Sequence, residues 1–267
     1  MSDKEIKQLT NLAVNLKKEI SRESALATLV SAGILDKKGD FTKPYNDLKS
    51  FVVESHKAWL MYSNRSNLII GFHGCDKEVR DSLLNHPNKI QISEKPYDWL
   101  GHGIYFWENN DARALKWAKD KEKRGEIKDA SVIGAVLSLG TCFDLLDSKF
   151  TEMAADYYGL MEANYEALGK EMPKNRDAKG DVYHDKILRD LDCSVIEYMH
   201  YSIEEQIKKD ISAKGFSTYK KFDSSRGVFT EGGPAFDGSG IQLKSHIQIC
   251  IRNTNCIKGF FLPRKEI

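Results

Sequence analysis

The sequence lacks the features of a secreted, membrane-spanning or strongly charged protein. Its five cysteines are odd in number and scattered, with no Cys-x-x-Cys pair, which argues against a disulfide framework and against a zinc site. No run approaches the ~20 apolar residues of a membrane span, and the first residues lack the apolar core of a secretory signal. A formal net charge of +1 excludes a global field that attracts nucleic acid or acidic lipid. We therefore expect a cytoplasmic protein without membrane association.

Several catalytic motifs are also missing. The chain has no Gly-x-Ser-x-Gly nucleophile, no phosphate-binding loop ending in Gly-Lys-Ser or Gly-Lys-Thr, and no His-Glu-x-x-His metal pair. The pair Gly101-x-Gly103 lacks the third glycine of a dinucleotide-binding fold. These absences argue against the corresponding hydrolase, nucleotidase and metalloprotease chemistries, and we expect no metal cofactor.

The length and hydrophobic patterning predict an α+β protein with a helical appendage. The chain has 267 residues, 41% of them hydrophobic, enough for one large domain or for one domain and an appendage. Apolar residues at helical spacing predict a helical region over 1–55, which would dock on the main domain or on a partner. Residues 56–267 combine strands with helices. An almost wholly helical stretch at about 148–213 predicts a large helical insertion in this β-rich domain.

The stretch 99–118 combines a glycine loop, a strand and a capped helix. Alternation places Ile104 and Phe106 on one face of the strand, and Tyr105 and Trp107 on the other. A glycine turn leading into an aromatic side chain is a platform for a flat ring, although aromatic residues in strands more often belong to a core.

Further strands are predicted at 68–76, 131–139 and 246–252. The first places His73 opposite its apolar residues. The last alternates strictly, with Gln248 among the polar side chains of one face. We expect residues 257–262 to pair back on this last strand as a hairpin.

Two of these segments resemble signatures of a known family. Gly-Phe-His-Gly, ending at Gly74, resembles the first signature of the ADP-ribosyltransferases of the diphtheria-toxin and poly(ADP-ribose) polymerase type. Gly-Ile-Tyr-Phe, beginning at Gly103 and followed by an alanine-rich helix, resembles the second. The resemblance implies split, mixed or antiparallel sheets and NAD as a consumed co-substrate. It implies that His73 binds an NAD ribose, that the Gly74 backbone holds the nicotinamide carboxamide, and that Tyr105 stacks on the nicotinamide beside Gly103.

The third family signature is usually a glutamate at the start of a late strand, where this chain has Gln248. A carboxylate there would oppose the positive charge that develops when the bond between nicotinamide and ribose breaks, whereas glutamine keeps only the hydrogen bond. Glu231, in a glycine-rich turn, is our candidate for the missing charge, ahead of Glu108; the substrate itself is the alternative. We expect Tyr105, Gln248 and Glu231 to be catalytic, and His73, Tyr105 and Gln248 to line one cleft.

Family members without the glutamate generally add a single ADP-ribose. We therefore expect a mono-ADP-ribosyltransferase that modifies a macromolecular target, either protein or nucleic acid. The resemblance to intracellular toxins of toxin-antitoxin and phage-defence systems implies a neutralising partner protein. The alternatives are an NAD glycohydrolase and an inactive module that binds NAD or ADP-ribose.

Overall fold

A computed structural model describes residues 68–264, together with 27, 29–38, 42 and 43. The chain divides into two compact units, of which the larger comprises residues 67–209 and 217–267. The predicted helical appendage at 1–55 lies largely outside the described residues and stays a prediction. The following description concerns the larger unit.

The larger unit contains a mixed sheet of seven strands. The strands are β1 (Ile69–Asp76), β2 (Ile104–Glu108), β3 (Ala130–Leu137), β4 (Cys142–Asp144), β5 (Ser224–Phe229), β6 (His246–Ile251) and β7 (Ile257–Phe261). Their order in the sheet is β4-β5-β6-β2-β1-β3-β7. Only β4 and β5 are parallel, and every other neighbouring pair is antiparallel. The predicted α+β class is confirmed.

Three of the four helices described here begin after a residue whose side chain caps them. The helices are α1 (Lys77–Asn85), α2 (Asp111–Lys123), α3 (Ser148–Ala167) and α4 (Asp190–Lys214), of which residues 210–214 are assigned to the smaller unit. The side chains of Asp76, Asn110 and Asp147 accept hydrogen bonds from the first turns of α1, α2 and α3, which satisfies backbone donors that a helix leaves open. Helices α3 and α4 lie between β4 and β5 in the chain, as predicted for the insertion.

Alternation in β2 defines the two faces of the sheet. We call them the Phe106 face and the Tyr105 face. On the Phe106 face, residues of β2, β3 and β6 meet in one buried cluster that includes Phe106, Leu137 and Ile249. On the Tyr105 face, helix α2 packs through Ala114 against Trp107. The predicted distribution of side chains in β2 is confirmed.

Strands β1 and β2 pair over a short distance and then separate. Their register comprises Gly71 with Glu108 and Phe72 with Trp107. Beyond these pairs, β1 continues alongside β3 to its last residue, and β2 continues alongside β6. We call the resulting gap, between residues 73–76 of β1 and residues 104–106 of β2, the seam.

The predicted hairpin of the last two strands is wrong. Strand β7 pairs with β3, as in the register of Gly134 with Phe261. Both edges of β6 are already hydrogen-bonded, to β2 and to β5, so β6 has no edge left for β7. Gly134 also makes room for β7, because a Cβ atom there would lie 2.4 Å from the ring of Phe261.

Candidate functional site

Tyr105 joins the strand to the glycine loop before it. Its hydroxyl donates to the carbonyl of Gly101 (2.8 Å) and accepts from the backbone N–H of Leu100 (2.9 Å). Its ring packs against a cluster that contains Trp99 and Cys250. Burial is the main reason that the pKa of Tyr105 lies well above its ordinary value, so the phenol stays neutral. Tyr105 therefore holds the loop in place.

Gln248 lies on the same face as Tyr105 and contacts the same loop. Its side-chain oxygen accepts a hydrogen bond of 2.6 Å from the indole N–H of Trp99. In the sheet Gln248 is paired with Trp107 of β2 and with Gly227 of β5. The Trp99 ring occupies the space above Gly227, where a Cβ atom would lie 2.7 Å from it. The structure thus brings the predicted residues Tyr105 and Gln248 together around Trp99.

Glu231 is buried, in contrast to a solvated glutamate of a turn. Its side chain is 7% exposed and forms an ion pair with Arg113 of α2, whose side chain is 14% exposed. The turn is fixed on both sides, since the Glu231 carbonyl accepts from the N–H of Lys244 (2.9 Å) and the N–H of Gly232 donates to Asp185 (2.8 Å). Gly232 has a φ of 91°, which favours glycine at this position.

His246 connects Glu231 to the sheet, and the sequence analysis missed it. Its Nδ1 lies 3.9 Å from the Glu231 carboxylate and 2.7 Å from the carbonyl of Lys244. Its ring stacks on Phe229 at 5.7 Å and lies 6.0 Å from the ring of Trp107, so it is on the Tyr105 face. Burial lowers the pKa of His246, which favours the neutral ring. The strict alternation of β6 could have identified His246, since it shares a face with Gln248.

Two arginines border this cluster of aromatic rings. The guanidinium of Arg189 lies 4.2 Å from the ring centre of Phe229 and 5.4 Å from that of Trp99. The Nε atoms of Arg113 and Arg189 and the Nε2 atom of His246 are buried and have no hydrogen-bond partner among the described residues. Buried polar atoms are normally paired, so three unsatisfied atoms around one cluster are unusual.

His73 lies at the seam, on the other face from the side chain of Tyr105. Its Nδ1 is 2.8 Å from the Tyr105 carbonyl, and its ring lies 5.8 Å from the ring of Phe106. Burial is the main reason that its pKa is lowered, so the ring is neutral. The structure therefore does not place the side chains of His73, Tyr105 and Gln248 in one cleft. The His73 ring hydrogen-bonds the backbone carbonyl of Tyr105 and lies on the opposite face from the Tyr105 side chain.

Gly74 and Gly103 both lie where the chain packs too tightly for a side chain. A Cβ atom on Gly74 would lie 2.3 Å from the carbonyl oxygen of Ala114 in α2, and one on Gly103 would lie 2.4 Å from the sulfur of Cys250. The backbone of Gly103 also exchanges two hydrogen bonds with Ser93, of 3.0 and 2.9 Å. Close packing accounts for both glycines in this structure.

Glu108 belongs to a different group of charges. Both of its oxygens accept from the guanidinium of Arg226, at 2.6 and 3.0 Å, and the same guanidinium contacts Asp144 at 3.2 Å. By alternation Glu108 lies on the Phe106 face, away from Glu231. Of the two carboxylates considered from the sequence, only Glu231 is on the face of Tyr105 and Gln248.

Comparisons with protein-family models, with curated proteins and with solved structures find no match to this chain. In the described part of the chain, no cluster of His, Cys, Asp and Glu side chains is suited to hold a metal ion. Within the same residues, no helix has the length and apolar character needed to cross a membrane. The site brings together a buried carboxylate, a neutral imidazole, an amide, two guanidiniums and several aromatic rings.

Proposed function

We propose that this protein is a mono-ADP-ribosyltransferase that transfers ADP-ribose from NAD to a macromolecular target. The observation that carries the proposal is the convergence of Tyr105, Gln248 and the buried carboxylate of Glu231 on one face of the sheet, beside the seam between β1 and β2. The resemblance of the two glycine-containing segments to the family signatures agrees with this location.

The groups around the site suit the parts of NAD. A diphosphate needs hydrogen-bond donors of positive charge, and the guanidinium groups of Arg113 and Arg189 are the candidates on this face. Flat rings bind beside aromatic side chains, which Trp99 and Tyr105 provide at the loop. The resemblance assigns His73 to a ribose and the Gly74 backbone to the nicotinamide carboxamide, but the His73 ring lies on the Phe106 face, so the proposal rests on the groups of the Tyr105 face.

NAD supplies a glycosidic bond whose cleavage releases nicotinamide and leaves a positively charged ribose. The Glu231 carboxylate opposes that charge, and the Gln248 amide orients a hydroxyl by hydrogen bonding. A nucleophile of the target then forms a bond to the same ribose carbon and loses its proton. In the free protein Arg113 neutralises Glu231. A phosphate that bound Arg113 would free the carboxylate to act on the ribose, so substrate binding and catalysis would be coupled.

The proposed target is a protein or a nucleic acid, and transfer of a single ADP-ribose agrees with glutamine at position 248. The loop between β5 and β6 carries three apolar side chains that are each 64% exposed, Phe236, Ile241 and Leu243, which suits contact with a macromolecule. We propose a cytoplasmic toxin or defence effector of the toxin-antitoxin or phage-defence kind, controlled by an antitoxin or another neutralising protein.

The test is incubation of the protein with isotopically labelled NAD and a cell lysate, followed by mass spectrometry. Label on a macromolecule supports transfer, whereas free ADP-ribose alone indicates an NAD glycohydrolase. Intact NAD together with measurable NAD binding would show an inactive binding module and refute both enzymes. Gln248→Ala should reduce labelling strongly, and Gln91→Ala, the same change at an exposed position, should leave it unchanged.

A further inference from the structure

A polar cavity lies at the far end of β6 from His246. It has a volume of about 510 Å³ and is bordered by one face of α4, by Arg252 just after β6, and by the segment before β5. On α4, Glu197, His200 and Glu204 are spaced by three and four residues, which places them on the same side of the helix. We call this space the α4 cavity.

The formal charges around the α4 cavity favour a cation. Four carboxylates, of Glu94, Glu197, Glu204 and Asp223, face two cations, Lys221 and Arg252, which leaves a formal charge of −2 if the histidines are neutral. Burial alone would raise the pKa of Glu197, but its hydrogen bonds to Arg252 lower it. The ion pair with Lys221 lowers the pKa of Glu204. Both glutamates are therefore ionised at neutral pH, and an anion would be repelled.

His200 is the group in the α4 cavity that lacks a partner. The residue is 6% exposed, and its Nε2 has no hydrogen-bond partner among the residues that the structure describes. Burial lowers the pKa of His200 to about 4, so the ring is neutral. It lies edge-on to Phe222, with ring centres 6.1 Å apart, and Ile203 borders the same space. A buried imidazole nitrogen without a partner is costly, and a ligand in the cavity would relieve that cost.

We propose that the α4 cavity binds an organic cation of the amine or guanidinium class. Glu197 and Glu204 attract its charge, the aromatic face of Phe222 and the side chain of Ile203 contact its carbon chain, and His200 hydrogen-bonds its polar end. The same chemistry is offered by a free alkylamine or alkylguanidine and by a lysine or arginine side chain of a polypeptide. The proposal concerns this cavity alone and does not depend on NAD.

The α4 cavity is connected to the glycine loop that Tyr105 holds. The backbone N–H of His102 donates to Glu197 (2.7 Å), and Arg252 donates to the carbonyl of His102 (3.0 Å). Gly101, the neighbouring residue, accepts from the Tyr105 hydroxyl (2.8 Å). A cation that binds Glu197 would compete with these contacts. The backbone amide signal of His102 is therefore a local probe of binding that requires no enzymatic activity.

The experiment is isothermal titration calorimetry of the full chain with n-butylguanidinium, together with NMR observation of the His102 amide. The uncharged isostere n-butylurea and inorganic phosphate are the control ligands. We expect n-butylguanidinium to bind and to shift the His102 amide, n-butylurea to bind at least about tenfold more weakly, and phosphate not to bind. N-acetylarginine amide distinguishes the two sources of the cation. Tighter binding than n-butylguanidinium indicates that the cavity binds a polypeptide side chain, and weaker binding indicates that it binds a free small molecule.

Two matched variants test whether the cation binds in the α4 cavity. Glu204→Gln should weaken binding of n-butylguanidinium by about threefold or more, as expected for loss of one partly exposed charge partner. Glu205→Gln makes the same change one residue further along α4, where the side chain pairs with Lys208, and should leave binding unchanged. Equal effects of the two variants, equal binding of the urea, preferential binding of phosphate, or no binding of any cation at millimolar concentration would each overturn the proposal.

Discussion

The burial of the ion pair between Arg113 and Glu231 predicts how much free energy of unfolding is lost when one partner is removed. The side chains of this pair are 14% and 7% exposed, whereas those of the Arg124 and Glu126 pair are 55% and 45% exposed. Removing one partner of a buried pair leaves an uncompensated charge and costs about 3–5 kcal/mol, while an exposed pair is worth about 0–1 kcal/mol. We expect Glu231→Gln to lower the free energy of unfolding by about 3 kcal/mol, and Glu126→Gln to lower it by less than about 1 kcal/mol.

The assay is equilibrium unfolding in urea, followed by circular dichroism. The double variant Arg113→Met with Glu231→Gln removes both charges, so it should recover much of the stability that Glu231→Gln loses. If Glu231→Gln and Glu126→Gln were equally mild, or if the double variant were less stable than Glu231→Gln, the assignment of a desolvated pair would be incorrect. The activity of Glu231→Gln should be compared with that of the original protein only under conditions in which both proteins are folded.

Three further predictions use the same unfolding assay. Gly74→Ala should destabilise the protein by more than about 1 kcal/mol, because its Cβ atom would meet the backbone of α2, whereas Gly159→Ala, at an open helical position, should stabilise it by about 0.5–1 kcal/mol. Tyr105→Phe should cost about 1–3 kcal/mol, because the buried N–H of Leu100 loses its acceptor; an unchanged midpoint would contradict that hydrogen bond. For His200, whose pKa falls to about 4 in the folded state, the unfolded state binds more protons between about pH 4 and 6.5. Stability should therefore decrease as the pH falls through this range, and His200→Leu should reduce that dependence.

Local features of the fold were predictable because their causes are local. The start of α1 follows from the cap at Asp76, and the two faces of β2 follow from alternation alone. The pairing of β7 was not predictable in this way. It depends on which strands occupy the edges of β6 and on the space beside Gly134, and both are properties of the assembled sheet.

In the candidate site, too, the features set within one strand were predictable, whereas those set by the assembled fold were not. Alternation placed Tyr105 opposite Phe106 in β2 and placed Gln248 among the polar side chains of β6, and the structure brings them to one side of the sheet. Whether His73 and Tyr105 lie on the same face depends on the register between β1 and β2. No pattern within either strand predicts that register. Arg113 and Glu231 are 118 residues apart in the chain, so their pairing could not be read from spacing.

The hydrogen bond from His73 to the Tyr105 carbonyl determines which tautomer the imidazole adopts. A carbonyl oxygen only accepts, so the proton of the neutral ring must reside on Nδ1, and Nε2 is left with a lone pair. This nitrogen can receive a hydrogen bond from an alcohol but cannot donate one to a phosphate. A group that hydrogen-bonds Nε2 of His73 must consequently be a donor, and acidification that protonated Nε2 would reverse this requirement.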